Sequence, residues 1–220
     1  MTVVKICANT NLEDAQLAGR LGADYLGLIF AESKRKIDIA TANSIINAMP
    51  EFKNFVGVFC NQPKDEVEKI AKQTGIKILQ FHGEETALYC QSFMDKGYQV
   101  IKVFRVKDAM SLKRIDEYNV TAFMLDTYSK EAMGGTGQTF DWNLLGTEHR
   151  PFFHDKLFLS GGLNVKNLVA GIQKIQPYAV DVASGVEKEP GKKDPALLEE
   201  FIRIAKEGTK QRVAKNTLHP

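Results

Sequence analysis

Residues 123–142 read FMLDTYSKEAMGGTGQTFDW. The apolar run Phe123-Met124-Leu125 predicts the end of a buried strand. It delivers a carboxylate, Asp126, to the strand's C-terminal end. A carboxylate there needs a partner, so Asp126 is expected to face a solvated pocket or a ligand. Gly134, Gly135 and Gly137 around Thr136 predict a loop with backbone angles that other residues avoid. Thr139-Phe140-Asp141-Trp142 then predicts a helix start, with Thr139 or Asp141 as the cap. An acid on a rigid strand beneath a glycine loop is a common enzyme arrangement.

The same unit of strand, loop, helix and turn repeats on both sides of this stretch. Strands are predicted at 3–7, 25–30, 55–59, 76–81, 99–104, 122–126, 157–160 and 179–183. Thr10 and Glu13 suggest a capping box for the first helix. Ala42, Ile45, Ile46 and Met49 form the apolar stripe of the second, and Pro50 closes it. Pro63 opens the third helix and Gly75 ends it. The fourth ends at Gly97, and a weaker helix is expected over 109–117. Val165, Leu168, Val169 and Ile172 supply core spacing after the seventh strand. Asp194 and Pro195 start the last helix, whose stripe is Leu198, Phe201, Ile202 and Ala205.

Short apolar strands alternating with helices imply a parallel sheet covered on both faces. Eight such units imply an α/β fold closed into a single (β/α)8 barrel, the TIM-barrel architecture. An open doubly wound sheet is disfavoured, because no G-x-G-x-x-G follows the first strand. The barrel domain is expected over 1–207. Residues 208–220 lack an apolar period and are expected to form a flexible tail.

The chain has 220 residues and a net charge of +2, so it is long enough for one full core. Apart from Lys34-Arg35-Lys36 and a short basic tail, its cations are dispersed. That excludes an obvious nucleic-acid face or membrane patch. No apolar run is long enough to span a bilayer. Cys7, Cys60 and Cys90 lack metal-ligand spacing and read as free thiols, so a cytoplasmic protein is expected.

In a barrel of this kind the site lies at the C-terminal ends of the strands. Those ends present Cys7, His82, Asp126, Ser160-Gly161-Gly162 and Ser184-Gly185, with Arg35 beyond the second strand. Glycine loops after strands seven and eight match the recurring phosphate site of barrels, where bare N–H groups hold a dianion. Cys7 shares a strand face with Lys5, and a nearby cation favours a lowered thiol pKa. His82 is a candidate proton carrier or polar contact. Arg35 suits a carboxylate. Each also has a plainer reading: core thiol, structural histidine, solvated face, tight turns.

The segments KIC, LGADYLGLIFAESKR, VGVF, LQFHGEE, LDTYSKEAMGGTGQTFDW, LSGGLNVKN and VDVASGVEKEPGKKD, in this order, resemble the phosphoribosylanthranilate isomerase family of tryptophan biosynthesis. The resemblance spans nearly the whole chain. It implies an intramolecular oxidoreductase-type isomerase that needs no cofactor or metal. The implied reaction is the Amadori rearrangement of N-(5'-phosphoribosyl)anthranilate, an aldose–ketose interconversion. The partner would be a phosphorylated small molecule, and the protein a monomer or homodimer. By position, Cys7 corresponds to the general base, Asp126 to the general acid and Arg35 to the contact with the anthranilate carboxylate. Gly161, Gly162, Ser184 and Gly185 correspond to the phosphate site. Asp181 corresponds to a sugar contact, with Gln80 and His82 at the site's edge. Ala8 stands where the family usually has glycine. That departure leaves open a barrel of altered specificity, or one that binds a phosphorylated ligand without catalysis. The related isomerase of histidine biosynthesis is disfavoured by the thiol that ends strand one.

Overall fold

The computed structural model describes residues 2–127, 139–144 and 156–207. Its strands are β1 (Val3–Ile6), β2 (Tyr25–Ile29), β3 (Phe55–Phe59), β4 (Ile78–Phe81), β5 (Gln99–Val106), β6 (Ala122–Thr127), β7 (Leu157–Leu159) and β8 (Ala179–Val182). Each pairs in parallel with its chain neighbours, and β1 pairs with β8, so the sheet closes as an eight-stranded barrel. The expected (β/α)8 barrel is the fold observed.

Around it lie α1 (Leu12–Arg20), α2 (Ile39–Asn47), α3 (Lys64–Thr74), α4 (Ala87–Met94), α5 (Leu168–Ile175) and α6 (Pro195–Glu207). Asp194 caps α6 through its Oδ1, which accepts from the N–H groups of Ala196 and Leu197. The α6 stripe Leu198, Phe201, Ile202 and Ala205 is buried against the sheet. Burying each of its large side chains contributes about 1.5–3 kcal/mol. Gly75 closes α3 in the left-handed conformation at φ 73°.

Strand alternation divides the core in two. Outward side chains pack under the helices. Inward ones, among them Val56, Ile78, Ile101, Met124, Phe158 and Ala179, fill the barrel's interior. Two residues further up the strands, the same inward parity presents Gln80, Asp126, Ser160 and Asp181. The barrel is therefore apolar below and polar at its C-terminal mouth.

Four expectations are corrected. Asn11, not Thr10, caps α1, its Oδ1 accepting from the N–H of Asp14, because the Thr10 hydroxyl donates instead to the carbonyl of Gly191. The segment 109–117 forms two 3₁₀ turns, Ala109–Leu112 and Ile115–Glu117, rather than a helix. There the Ser111 hydroxyl accepts from the backbone of Lys107 and Asp108, a local bond that competes with helix formation. Val169 is 43% exposed. Helix α5 begins only at Leu168 and buries Leu168, Gly171 and Ile172, so Val165 precedes it and Val169 turns outward. Finally, β1, β2, β7 and β8 each stop one residue short of the expected end, while β5 and β6 run further, to Val106 and Thr127. The glycine-rich loop at 134–137 and the tail at 208–220 lie outside the described residues.

Candidate active site

Strand β1 carries Lys5 inward, and Cys7 follows on the same face. The chain then bends at Ala8, whose φ is 62°. Asn9 fastens the bend, its Nδ2 donating to the carbonyls of Ile6 at 2.8 Å and Gly27 at 3.1 Å. The departure from glycine at position 8 therefore falls on a left-handed residue, where an L side chain costs roughly 1–2 kcal/mol. Glycine's extra unfolded freedom would offset about 0.4–1 kcal/mol of that relief. Ala8→Gly should hold the melting temperature or raise it by a few degrees, with turnover equal or higher. A melting temperature lower by more than about 4 °C, or a loss of more than about tenfold in kcat/KM, would show that alanine is adapted to this bend.

Lys5 is fully buried and its Nζ lies 2.6 Å from Asp181 Oδ1. Asp181 Oδ2 accepts from the Ser160 hydroxyl at 3.0 Å. A buried pair of this kind contributes little net stability. Its effect is electrostatic, since it sets a cation and an anion beside the Cys7 thiol. Burial pushes that thiol up, and Asp181 adds to the rise, while Lys5 and Lys193 oppose it without prevailing. The expected lowering by Lys5 is corrected accordingly: the local cation acts, but desolvation is the larger influence. Lys5 itself is pulled down by burial, yet Asp181 and Cys7 outweigh that and hold it above the ordinary lysine value.

Gly27 on β2 makes room for this group. A Cβ there would stand 2.7 Å from Cys7 Sγ and 3.1 Å from Lys5 Nζ. Sequence reasoning passed over Gly27, which reads as an ordinary small residue in a strand.

Two strands away from β8, Asp126 ends the inward face of β6 and is 5% exposed. Its Oδ2 lies 2.9 Å from His82 Nε2, and its Oδ1 accepts from the N–H of Thr127 at 2.8 Å. His82 Nδ1 makes a long 3.5 Å contact with Gln80 Nε2. With the amide donating, Nδ1 is the acceptor and Nε2 carries the hydrogen toward Asp126. Gln80 is buried, and its Oε1 has no partner among the described residues.

After β7, Gly161 and Gly162 turn at φ 84° and 67°. A Cβ on Gly161 would collide with the backbone N–H of Thr127 and crowd Asp126. After β8, Ser184–Val186 forms a 3₁₀ turn, and Gly185 sits so close to the carbonyl of Leu163 that a Cβ has no space. Both turns thus bring bare backbone to the mouth, the arrangement that suits a phosphate.

Arg35 comes from the loop after β2. Glu187 grips it in a fork, with Nε 2.9 and 3.0 Å from the two carboxylate oxygens and Nη2 at 2.7 Å. Arg35 is therefore not on a plain solvated face. Burial acts to raise Glu187, but Arg35 and Lys193 outweigh it and hold the carboxyl below the usual range. Glu187 and Lys193 were also missed in sequence, because EKEPGKKD (187–194) reads as a charged surface run.

One cavity at the C-terminal mouth joins these parts. Cys7, Asp126, Asp181 and Ser160 line it, as do Gln80, His82 and Arg35. The turns Gly161-Gly162 and Ser184-Gly185 complete its wall. A closed parallel barrel with a thiol, a carboxylate, a guanidinium and glycine turns around one mouth defines a (β/α)8-barrel protein of the kind that works at its strand ends.

Comparison with known proteins narrows this class. The family model for N-(5'phosphoribosyl)anthranilate (PRA) isomerase matches residues 4–204. The chain is 45% identical over 208 residues to N-(5'-phosphoribosyl)anthranilate isomerase of Pelobacter propionicus, covering 94% of this chain and 97% of that protein. It is similar to the crystal structure of phosphoribosyl anthranilate isomerase from Thermotoga maritima, with a TM-score of 0.84, 38% identity, and coverage of 94% and 100%. It is also similar to a solved isomerase in complex with reduced 1-(o-carboxyphenylamino)-1-deoxyribulose 5-phosphate, with a TM-score of 0.80, 36% identity, and coverage of 94% and 100%. The chain belongs to the N-(5'-phosphoribosyl)anthranilate isomerase family.

Proposed function

We propose that this protein converts N-(5'-phosphoribosyl)anthranilate to 1-(2-carboxyphenylamino)-1-deoxyribulose 5-phosphate, with Cys7 as general base and Asp126 as general acid. The observation that carries the reading is the single cavity in which thiol, carboxylate, guanidinium and both glycine turns meet. The substrate is anionic at both ends, and the mouth offers a grip for each. The phosphate would lie on the backbone of Gly161, Gly162, Ser184 and Gly185. Arg35 would take the anthranilate carboxylate. Asp181 and the unpaired Oε1 of Gln80 would accept from ribose hydroxyls.

The chemistry then needs one acid and one base. Asp126 donates a proton to the ring oxygen as its bond to C1' breaks, and a protonated Schiff base forms. Cys7, as thiolate, takes the proton from C2'. The electron pair left behind forms the C1'–C2' double bond, and the imine bond collapses onto nitrogen. The resulting enol tautomerises to the ketose, losing the O2' proton and gaining one at C1'. His82, hydrogen-bonded to Asp126, orients the acid. No electrons leave the substrate, so the step is an internal redox exchange.

The direct test is loss of anthranilate-type fluorescence when the purified protein meets phosphoribosylanthranilate. A rate no higher than without protein would end the proposal. Arg35→Ala tests the carboxylate grip. Charged hydrogen bonds contribute roughly 1.5–3 kcal/mol, so KM should rise about ten- to a hundredfold with a smaller change in kcat. An unchanged KM would free Arg35 from this role. The same reading makes the protein a cytoplasmic monomer or homodimer.

A further inference from the structure

Lys193 has no part in the scheme above, yet with Lys5 it is one of two enclosed lysines beside the Cys7 thiol. It lies in the hairpin after β8, formed by β9 (Glu187–Glu189) and β10 (Lys192–Lys193). Its side chain is 0% exposed. The ammonium donates to the carbonyl of Cys7 at 2.6 Å and to that of Ala183 at 3.4 Å, and it lies 3.3 Å from Glu187 Oε1. Glu187, whose side chain is 3% exposed, is the carboxylate that forks Arg35.

We propose that Lys193 is a positioning residue: pinned by the Cys7 and Ala183 carbonyls, it holds Glu187, and through Glu187 it sets the direction and effective charge of the Arg35 guanidinium. The argument has a geometric and an electrostatic part. Arg35 sits on an irregular loop and needs an anchor for its long side chain. Glu187 is that anchor only if its own carboxylate is fixed, and Lys193 Nζ lies against Oε1. A carboxylate with Arg35 as sole partner would also neutralise it. Shared between two cations, Glu187 leaves the cluster with one net positive charge, which favours an incoming carboxylate. The bland alternative is that Lys193 only staples the hairpin to β1. That role would weaken the fold, and every function with it, without regard to which end of the ligand is involved.

The inference rests on the isomerase reading, and the experiment separates the two failures. Inactive wild-type protein sinks the isomerase reading; an active wild type with the wrong variant pattern sinks only this proposal. Lys193→Met in the full chain should raise KM for phosphoribosylanthranilate at least about tenfold. Its kcat should fall as well, because Lys193 also opposes the rise of the Cys7 thiol, so KM is the readout of the clamp. Binding of ribose 5-phosphate, which lacks the anthranilate carboxylate, should stay within about threefold, because the clamp is not engaged. In an Arg35→Ala background the same substitution should add less than about threefold in KM, since the two residues act as one unit. An equal KM rise in both backgrounds, or a parallel loss of ribose 5-phosphate binding, overturns the proposal. Should Lys193→Met not fold, Glu187→Gln keeps the volume and loosens the anchor while leaving more positive charge around Arg35, so it isolates the positioning part of the argument. KM should still rise with ribose 5-phosphate binding within about threefold, and an unchanged or lower KM for Glu187→Gln overturns the proposal.

Discussion

Asp126→Asn should lower kcat by at least about 10²-fold while KM moves much less, the usual lower scale for loss of an acid–base group. The substitution removes the transferable proton at nearly constant shape. The amide oxygen can keep the bond from the Thr127 N–H, and the NH2 group can then donate to His82 Nε2 once the ring shifts its hydrogen to Nδ1, so the barrel should fold unchanged. Cys7→Ser should cost at least as much, because a serine hydroxyl ionises far less readily than a thiol and so supplies almost no anionic base. The two variants differ in their pH response. Burial pushes the Cys7 thiol above its ordinary value of about 8.5. Catalysis needs the Cys7 thiol ionised and the Asp126 carboxyl protonated at once. In the wild type the gain in thiolate with rising pH is therefore offset by loss of the proton the acid must donate. Asp126→Asn removes that offset, so its kcat/KM, at a lower level, should climb as pH rises into the alkaline range, and Cys7→Ser should lose the climb. Near-normal kcat in either variant, measured by stopped-flow fluorescence, would remove that residue from the chemistry.

Gly27→Ala should be nearly as damaging to turnover, although residue 27 would touch no substrate. Position 27 is a regular strand residue, so alanine brings no backbone strain. The added methyl, however, would stand 2.7 Å from Cys7 Sγ and 3.1 Å from the Cys7 Cα. Carbon and sulfur cannot share that space, and the thiol must give way by about an ångström. Misplacing a reacting group by about 1 Å costs on the order of 10²-fold in rate. The phosphate and carboxylate grips lie elsewhere on the mouth, so KM should hold. Far-UV circular dichroism and a melting curve close to wild type, together with the kcat loss, would locate the damage at the thiol. An unchanged kcat would mean that Cys7 either tolerates the shift or is not the base.

Much of the fold was legible because local signals agreed with the global one. Pro63, Gly75 and the pair Asp194-Pro195 mark helix ends by chemistry that depends on near neighbours alone. The stripe Leu198, Phe201, Ile202 and Ala205 needs only a helical period. Thr10 failed because its competing partner, the carbonyl of Gly191, is 181 residues away in sequence. The residues lining the mouth could be picked out by strand-end position and by resemblance. Their supports could not. In EKEPGKKD, Lys188, Glu189 and Lys192 are exposed while Lys193 is buried and Glu187 nearly so, and no sequence spacing separates the two groups. Gly27 was silent for a similar reason, since the atoms it accommodates belong to the neighbouring strand. At Ala8 resemblance flagged the position, and only the observed φ of 62° decided between backbone strain and crowding.

The seam between β1 and β8 bears on how the protein is made. Lys5 meets Asp181 across 176 residues of chain, and the carbonyl of Cys7 meets Lys193 across 186. On a ribosome adding about 5–20 residues per second, roughly 10–35 s separate the synthesis of Lys5 from that of its counter-ion. Throughout that interval β1 has one unpaired edge, a template for pairing with another nascent chain. Contacts this distant in sequence also form slowly. Catalytic competence therefore arrives late and all at once, when the last strand docks beside the first and the exposed edge disappears in the same event.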